Sequence, residues 1–529
     1  MMPPLPSLLP RISDYASWQA ERRPDAVAMV LDGVTITYAA LADGVDRLAR
    51  ALLAAGVRKG DRVASLLPPH PQYLVDFLAA ASIGAIWVGL NPRYQLDELR
   101  YVVTDAEPRV LLGRQKIGER RYDVDLTALA AACPGLSHLV LHQPDAPLDG
   151  AVTMADFLAA GDSIGHAALA AARADCGGRD PCLIVYTSGS TGKPKGALLH
   201  HDGLARFSLG QNRVWPVDPL RVINYFPINH VGCVADCTLP CLVAGGTLVF
   251  MEKFDPGTCL HLMETERVTL WGSVPSTFPM MLDHPDFVSR DLSSVALIVW
   301  GGAAMDAVTI DRLAQVQPRM ATNYGMTETT SAVTVLEPVT DREVLAHSVG
   351  HAFEGVEIRL ADANDQPVPN GETGEIQTRS PLNFLGYWRR PDATAEAFTG
   401  DGFFRTGDLA VLRPDGRYRI VGRIKEMYKS GGYNVYPREV EAVLRTGPGV
   451  TDAAIVAIPD PVWQEVGVAY VTVSTSVAPG DLLSFLRDRL ANYKLPKRIV
   501  MLEEMPLLPI GKIDKAALKR RALAESTHG

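Results

Sequence analysis

The stretch Leu183-Ile184-Val185-Tyr186-Thr187-Ser188-Gly189-Ser190-Thr191-Gly192-Lys193-Pro194-Lys195-Gly196 constrains this chain more than any other. An apolar run of strand character leads into Gly, Ser and Thr, and two lysines close the loop. Glycine lets the main chain approach an anion and point N–H groups at it, hydroxyls add donors, and lysine adds charge. The segment therefore predicts a phosphate cradle at the end of a strand. It is not a G-x-x-x-x-G-K-[ST] loop, because Pro194 follows Lys193. The plain alternative is a solvated hairpin turn, and so long a biased run argues against it.

The surroundings of the loop fit an α/β fold. Apolar spacing predicts helices over 40–55, 74–83 and 99–104, and short apolar runs predict strands over 62–67, 85–90 and 109–112. Strands alternating with helices imply βαβ units and parallel sheets. At 529 residues the chain exceeds a single core, so two or three lobes are expected. From about 349 the texture changes to short strands with frequent turns, such as Pro369-Asn370-Gly371 and Arg413-Pro414-Asp415-Gly416, which predicts a β-rich lobe. Beyond Arg423 it changes again, to helices over 437–444 and 482–490 and strands over 450–458 and 467–474, a small α+β unit.

The net charge of −9 excludes an overall basic footprint for nucleic acid. The apolar stretch 73–90 is interrupted by Asp76 and Gly84, so it predicts a helix and a strand and no membrane span. The N-terminus lacks a basic region and is rich in proline, which points to the cytoplasm. Seven cysteines are expected to be free thiols. Cys233, Cys237 and Cys241, four apart, form one buried helix stripe in preference to a metal site.

Further segments carry recognisable chemistry. Trp300-Gly301-Gly302-Ala303-Ala304-Met305 follows a strand over 295–299, and Asn323-Tyr324-Gly325-Met326-Thr327-Glu328-Thr329 follows in turn. Phe404-Arg405-Thr406-Gly407-Asp408, Val421-Gly422-Arg423, Lys429-Ser430-Gly431-Gly432-Tyr433 and Pro509-Ile510-Gly511-Lys512-Ile513-Asp514-Lys515 complete the set. With the glycine-rich loop, these segments resemble the signatures of the acyl-adenylate-forming superfamily, in its branch of fatty-acid and aryl-acid–CoA ligases. The resemblance runs over nearly the whole chain.

It implies a large N-terminal domain, 1–424, of parallel-sheet αβαβα subdomains with a β-rich lobe at about 349–424, and a small mobile α+β C-terminal domain, 425–529, hinged at Lys425. It implies ATP, Mg²⁺ and coenzyme A as cofactor and co-substrates. Thr187, Ser188, Gly189, Ser190, Thr191, Gly192 and Lys193 would cradle phosphate; Gly302, Ala303, Ala304, Asn323, Tyr324 and Gly325 would border the adenine. Thr327 would bond the α-phosphate and Glu328 would hold the metal. Asp408, Ile420 and Arg423 would meet the ribose side, and Gly431 and Gly432 would line the thiol path. Lys512 would bridge the acid's carboxylate and the α-phosphate.

The same resemblance places His230 beside the carboxylate and Gly232, Asp236, Trp300 and Ser331 around the acid. The sequence departs from the pattern at Leu507 and Leu508, often Arg and Thr in relatives, and at Tyr433, often Glu or Phe. The expected activity is ATP-dependent ligation of a small-molecule carboxylic acid (fatty, alicyclic or aryl) to CoA, with a homodimer left open. Two other readings compete. One is a ligase that loads a separate carrier protein, which the short connection 329–349 and the lack of a carrier domain disfavour. The other is a catalytically silent nucleotide-binding scaffold, which the presence of Lys512, Glu328 and Asp408 disfavours.

Overall fold

In the computed structural model, described over residues 5–187, 193–430, 432–508 and 512–526, the alternation read from the sequence becomes two large sheets. Helices form at Tyr38–Ala54, Pro71–Ser82 and Leu96–Ala106, and strands at Arg62–Leu66, Ile86–Leu90 and Val110–Gly113. Local chemistry sets these starts. Thr37 caps the first helix by accepting from the Ala40 N–H, and Pro71 opens the second behind a His70 cap.

The first sheet has seven strands. Its parallel body runs from Ile86–Leu90 through Arg62–Leu66, Val110–Gly113 and His138–Leu141 to Ala151–Thr153. Pro181–Thr187 joins it parallel to Ile86–Leu90 and pairs antiparallel with Lys195–His200, so the glycine-rich segment leaves from the end of a sheet strand. The second sheet has nine strands, with Met320–Tyr324, Leu297–Trp300, Leu270–Ser273, Arg221–Asn224 and Thr247–Phe250 parallel at its centre. An N-terminal hairpin, Val27–Leu31 and Val34–Thr37, completes its far edge. The largest apolar core lies between the two sheets around helices Tyr38–Ala54, Pro71–Ser82 and His201–Val214, and each sheet carries another core on its other face.

The β-rich lobe is a four-stranded antiparallel sheet, Glu357–Ala361, Thr373–Arg379, Phe404–Leu412 and Tyr418–Arg423. A turn at 424–426 leads to a five-stranded C-terminal sheet with an apolar core on either face. Among the described residues no helix is long and apolar enough to cross a membrane. All seven cysteines are free and buried. The stripe takes an unexpected form: Cys233 and Cys237 lie in a π-helix, Gly232–Thr238, and Cys241 in the α-helix Leu239–Ala244 that continues it.

Candidate active site

The C-terminal ends of the parallel strands converge on one cleft, the usual ligand side of such sheets. Thr187 ends a strand of the first sheet, while Trp300 and Tyr324 end neighbouring strands of the second. Gly302, Ala303 and Ala304 follow Trp300 and are exposed, giving a floor without bulk. Gly302 has φ +82°, and a Cβ there would lie 3.2 Å from Lys512 Cε. Gly325 is required for a different reason: an added Cβ would collide with the Ser331 carbonyl oxygen.

After Tyr324 the chain makes a short 3₁₀ turn, Thr327–Thr329, and then places Thr330 and Ser331 at φ +51° and +81°. Two successive non-glycine residues in the left-handed region store strain of the kind found at functional sites. The loop is stapled to the segment 382–387. The Phe384 N–H donates to the Glu328 carbonyl at 2.8 Å, and the Thr330 hydroxyl donates to the Leu382 carbonyl at 2.5 Å. Glu328 is 9% exposed, and its Oε1 accepts from the Tyr387 hydroxyl at 2.8 Å. The Thr187 hydroxyl reaches the same oxygen at 3.5 Å, and Thr327 is buried beside it in sequence.

No group of three His, Cys, Asp or Glu side chains that could cage a metal occurs among the described residues. A single buried carboxylate with a neighbouring hydroxyl fits Mg²⁺ held jointly with substrate phosphates, since that ion keeps oxygen ligands and needs few from protein.

On the ribose side, Asp408 is 3% exposed. Its Oδ2 accepts from the Tyr324 hydroxyl at 2.8 Å, and its Oδ1 pairs with Arg423 Nε at 3.0 Å. Burial and then the Asp408 charge push the Tyr324 hydroxyl up, so it stays a donor. Ile420 packs partly buried on the central core in the strand that ends at Arg423. Lys512 comes from the C-terminal region into this cleft. Its pKa is lowered, first by burial and then by Arg423, with Asp408 opposing the shift and Arg438 adding to it. Three cations thus face the space beside Asp408.

The acid side is built on the π-helix. Gly232 and Asp236 are its only partly accessible residues; Cys233, Val234, Ala235, Cys237 and Thr238 are buried. His230, just before it, accepts the Gly232 N–H on Nδ1 at 3.0 Å. Burial, with Lys512 nearby, lowers its pKa to about 4. At neutral pH the ring is therefore uncharged with its proton on Nε2, a donor and not a base. Asp236 is pushed up to about 7, by burial against the help of Ser331, Asn323 and Lys512.

Trp300 is only 2% exposed and belongs to the outer core of the second sheet, so its ring backs the wall. Lys193 is exposed, with its ammonium 6.0 Å from the Tyr101 ring. Ser188, Gly189, Ser190, Thr191, Gly192 and Gly431 lie outside the described residues. Gly432, at φ +85°, and Tyr433, stacked 4.6 Å from Tyr493, are exposed in a hairpin, and no described contact joins either to the cluster around Lys512. Lys425 sits exposed in the turn after Arg423.

With this geometry in place, the kinship is decisive. The AMP-binding enzyme family model matches residues 16–388, and the AMP-binding enzyme C-terminal domain model matches residues 439–512. The chain belongs to the AMP-binding enzyme family. It is 38% identical over 524 residues to a feruloyl-CoA synthase of Amycolatopsis sp, covering 97% of this chain and 99% of that protein. It is 34% identical over 508 residues to an indoleacetate–CoA ligase of Aromatoleum aromaticum, covering 95% and 96%. The solved structure of ATP-bound MatB from Rhodopseudomonas palustris superposes with a TM-score of 0.85 at 31% identity, covering 96% of this chain and 98% of that one.

In this AMP-binding enzyme, two contributors escape the motif reading. Tyr387 orients Glu328 from a segment with no phosphate-loop character, and Lys195 lies 5.1 Å over its ring. Arg438, in the helix Pro437–Arg445, adds charge beside Asp408 from the C-terminal side. A tyrosine or arginine in an ordinary helix or loop context carries no local signal of this kind.

Proposed function

We propose that the acid this enzyme activates is an aryl-substituted carboxylic acid, and that the residues gathered around Lys512 carry the chemistry. The reaction itself is that of an ATP-dependent acid–CoA ligase, AMP-forming: an acyl-adenylate forms with release of pyrophosphate, and the acyl group passes to CoA with release of AMP. The observation that carries the assignment of roles is the position of Lys512, half-buried in the cleft against Gly302 within the field of Asp408 and Asp236.

In the first step, an oxygen of the acid's carboxylate bonds the α-phosphorus as the bond to pyrophosphate breaks. Two anions must meet, and Lys512 lowers that barrier by standing between them, its charge oriented before substrate arrives. Neutral His230 donates from Nε2 to the carboxylate and holds its angle of approach. Thr327 donates to the α-phosphate, while Asp408 retains lone pairs for the ribose hydroxyls beside its bonds to Tyr324 and Arg423. The segment 187–193 would hold the remaining phosphates, and Glu328 would hold Mg²⁺, which would neutralise phosphate charge.

For the second step, residues 425–529 act as a unit that turns on 1–424 about Lys425. The turn withdraws Lys512 and brings Gly431 and Gly432 to the thiol path. The exposed position of Gly432 suits a residue that waits for this movement. The aryl class rests on the feruloyl and indoleacetate relatives. The cytoplasm, where ATP and CoA are at hand, is the compartment we assign.

The test is ATP- and CoA-dependent AMP release over a panel of aryl, alicyclic and fatty acids, beside acid-dependent pyrophosphate exchange. Aryl acids should lead the panel, and Lys512→Ala should lower exchange by about 10²–10³-fold. Equal exchange in wild type and Lys512→Ala would remove the assigned role, and fatty acids leading the panel would remove the aryl class.

A further inference from the structure

Asp408 stands in a break of the β-rich sheet. Between the strands Thr373–Arg379 and Phe404–Leu412, Glu375 lies opposite Leu409 and Gln377 opposite Arg405, so Thr406, Gly407 and Asp408 together face Ile376 alone. Bulges of this kind interrupt the ladder and recur beside active sites, where they re-aim a side chain. Gly407 sits in it at φ +71°, a conformation that glycine adopts freely and other residues rarely do. Side chains supply the hydrogen bonds there. The Glu375 carboxylate accepts the Gly407 N–H on Oε1 at 2.9 Å. The Thr406 hydroxyl donates to the Ile376 carbonyl at 2.7 Å and accepts the Asp408 N–H at 3.1 Å. On the other side, the Gly407 carbonyl accepts from the Ile424 N–H at 2.9 Å. Asp408 leaves this frame to meet Tyr324 and Arg423.

Glu375 is an unusual occupant for the interior of a sheet. It is 8% exposed, and among the described residues it makes no direct ion pair. Its second oxygen accepts from Gln377 Nε2 at 3.2 Å, and the buried Gln377 is itself held by Asp365 and Arg359 at 2.6 and 2.7 Å. A buried carboxylate is costly unless donors meet it, and an apolar residue would serve the core of the lobe at less cost. The donors that meet this one are the bulge glycine and the glutamine that aligns it. A charged acceptor also holds a main-chain N–H more tightly than a neutral one. The effect of the charge is therefore a fixed Gly407 and, one residue on, a fixed direction for Asp408. Direction matters for a ribose acceptor, because a hydrogen bond weakens steeply as it bends.

We propose that Glu375, together with Thr406, is a positioning residue that locks the bulge so that the Asp408 carboxylate meets the ribose hydroxyls of ATP. The inference rests on the assignment of Asp408 to the ribose, and Glu375 lies outside every segment that carries the family resemblance.

The experiment measures equilibrium binding of ATP and of 2′-deoxy-ATP to the full chain with Mg²⁺, so that no acid substrate need be known. The readout is the ratio of the two Kd values. A merely structural role for Glu375 would weaken both nucleotides alike and leave the ratio unmoved. Wild type should favour ATP by about tenfold or more, the worth of a hydrogen bond to a buried charge. Glu375→Ala should bring the ratio to within about threefold of unity. Thr406→Val, which removes the other bond and keeps the side chain's shape, should lower the ratio in the same direction and tests the proposal if Glu375→Ala does not fold. Thr406→Ser keeps the hydroxyl and should keep the ratio within about twofold of wild type. A wild-type ratio near one would overturn the ribose role of Asp408 and the proposal with it. A wild-type preference that survives both Glu375→Ala and Thr406→Val would overturn the proposal alone. The ligase reading fails on a different result, the absence of AMP release with every acid.

Discussion

At the scale of single residues, the arrangement around Glu328 makes a prediction that no motif suggests. Its buried carboxylate depends on the Tyr387 hydroxyl, and burial with the Glu328 charge pushes that hydroxyl up, so it remains a donor. Partners of this kind orient metal ligands, and their loss commonly costs about 10–100-fold in metal affinity. Tyr387→Phe should therefore weaken Mn²⁺ binding to the ATP-bound enzyme by about tenfold, read as free Mn²⁺ by electron paramagnetic resonance, while metal-free ATP binding stays the same. Unchanged Mn²⁺ affinity would show that Tyr387 merely packs there. The contrast with Asp408 and Lys512 explains what was legible. Those two sit in runs of Gly, Thr and Pro that only a special backbone needs. Tyr387 follows Gly386 in a segment whose task appears only when Glu328, 59 residues upstream, docks on it. The resemblance placed Asp236 and Ser331 around the same acid, but their hydrogen bond depends on a π-helix and a left-handed turn that no local pattern announces.

At the scale of elements, the helices and strands of the first sheet follow directly from apolar spacing, because each is built from residues near in sequence. The second sheet does not. Its strand Val27–Leu31 lies parallel to Thr247–Phe250, a pairing across more than two hundred residues that no local pattern encodes. The proposed hinge is the element with the most direct test. The turn at 424–426 is closed by Glu426 and Met427 N–H groups donating to the Arg423 carbonyl at 3.1 and 2.9 Å, and Lys425 within the turn is exposed. Beyond it, Lys515 ties the final helix to Glu426 at 2.5 Å and to Glu441 at 2.8 Å, so the far side of the turn is fastened to the C-terminal unit. Proline at 425 fixes φ near −65° and removes freedom the turn needs in order to open. Lys425→Pro should keep pyrophosphate exchange within about threefold of wild type and lower CoA-dependent AMP release by about tenfold or more, if the second step needs the hinge. Equal losses in both assays would place the effect on folding and remove Lys425 as the pivot.

At the scale of the whole molecule, histidine ties stability to pH. His70, His200, His201 and His230 each accept a main-chain N–H on Nδ1, from Gln72, Gly203, Ile12 and Gly232 at 3.0, 3.0, 3.3 and 3.0 Å. These bonds need a neutral ring. Burial leads the lowering of every one of the four pKa values, with Arg114, Arg179, Arg11 and Lys512 adding to it in turn, and the values for His70 and His230 fall to about 4 and for His201 to about 3. A folded value below the unfolded one, near 6.5, means the unfolded chain takes up protons first as pH falls. The stabilisation is complete above about 6.5 and is lost progressively on the way down to 4, at about 1.4 kcal/mol per pH unit for each such group. Asp236 works in the opposite sense: its raised value, about 7, favours the folded state on the acid side and withdraws that support as pH rises from about 4 to 7. Four histidines against one carboxyl leave a net loss in acid. The thermal midpoint should therefore fall steadily between pH 6.5 and 4.5, and His70→Asn should flatten the fall by about a third, one of the net three groups. Asparagine keeps an oxygen to cap the helix Pro71–Ser82, but it cannot titrate. Parallel curves for wild type and His70→Asn would mean that the acid sensitivity arises elsewhere than in these rings.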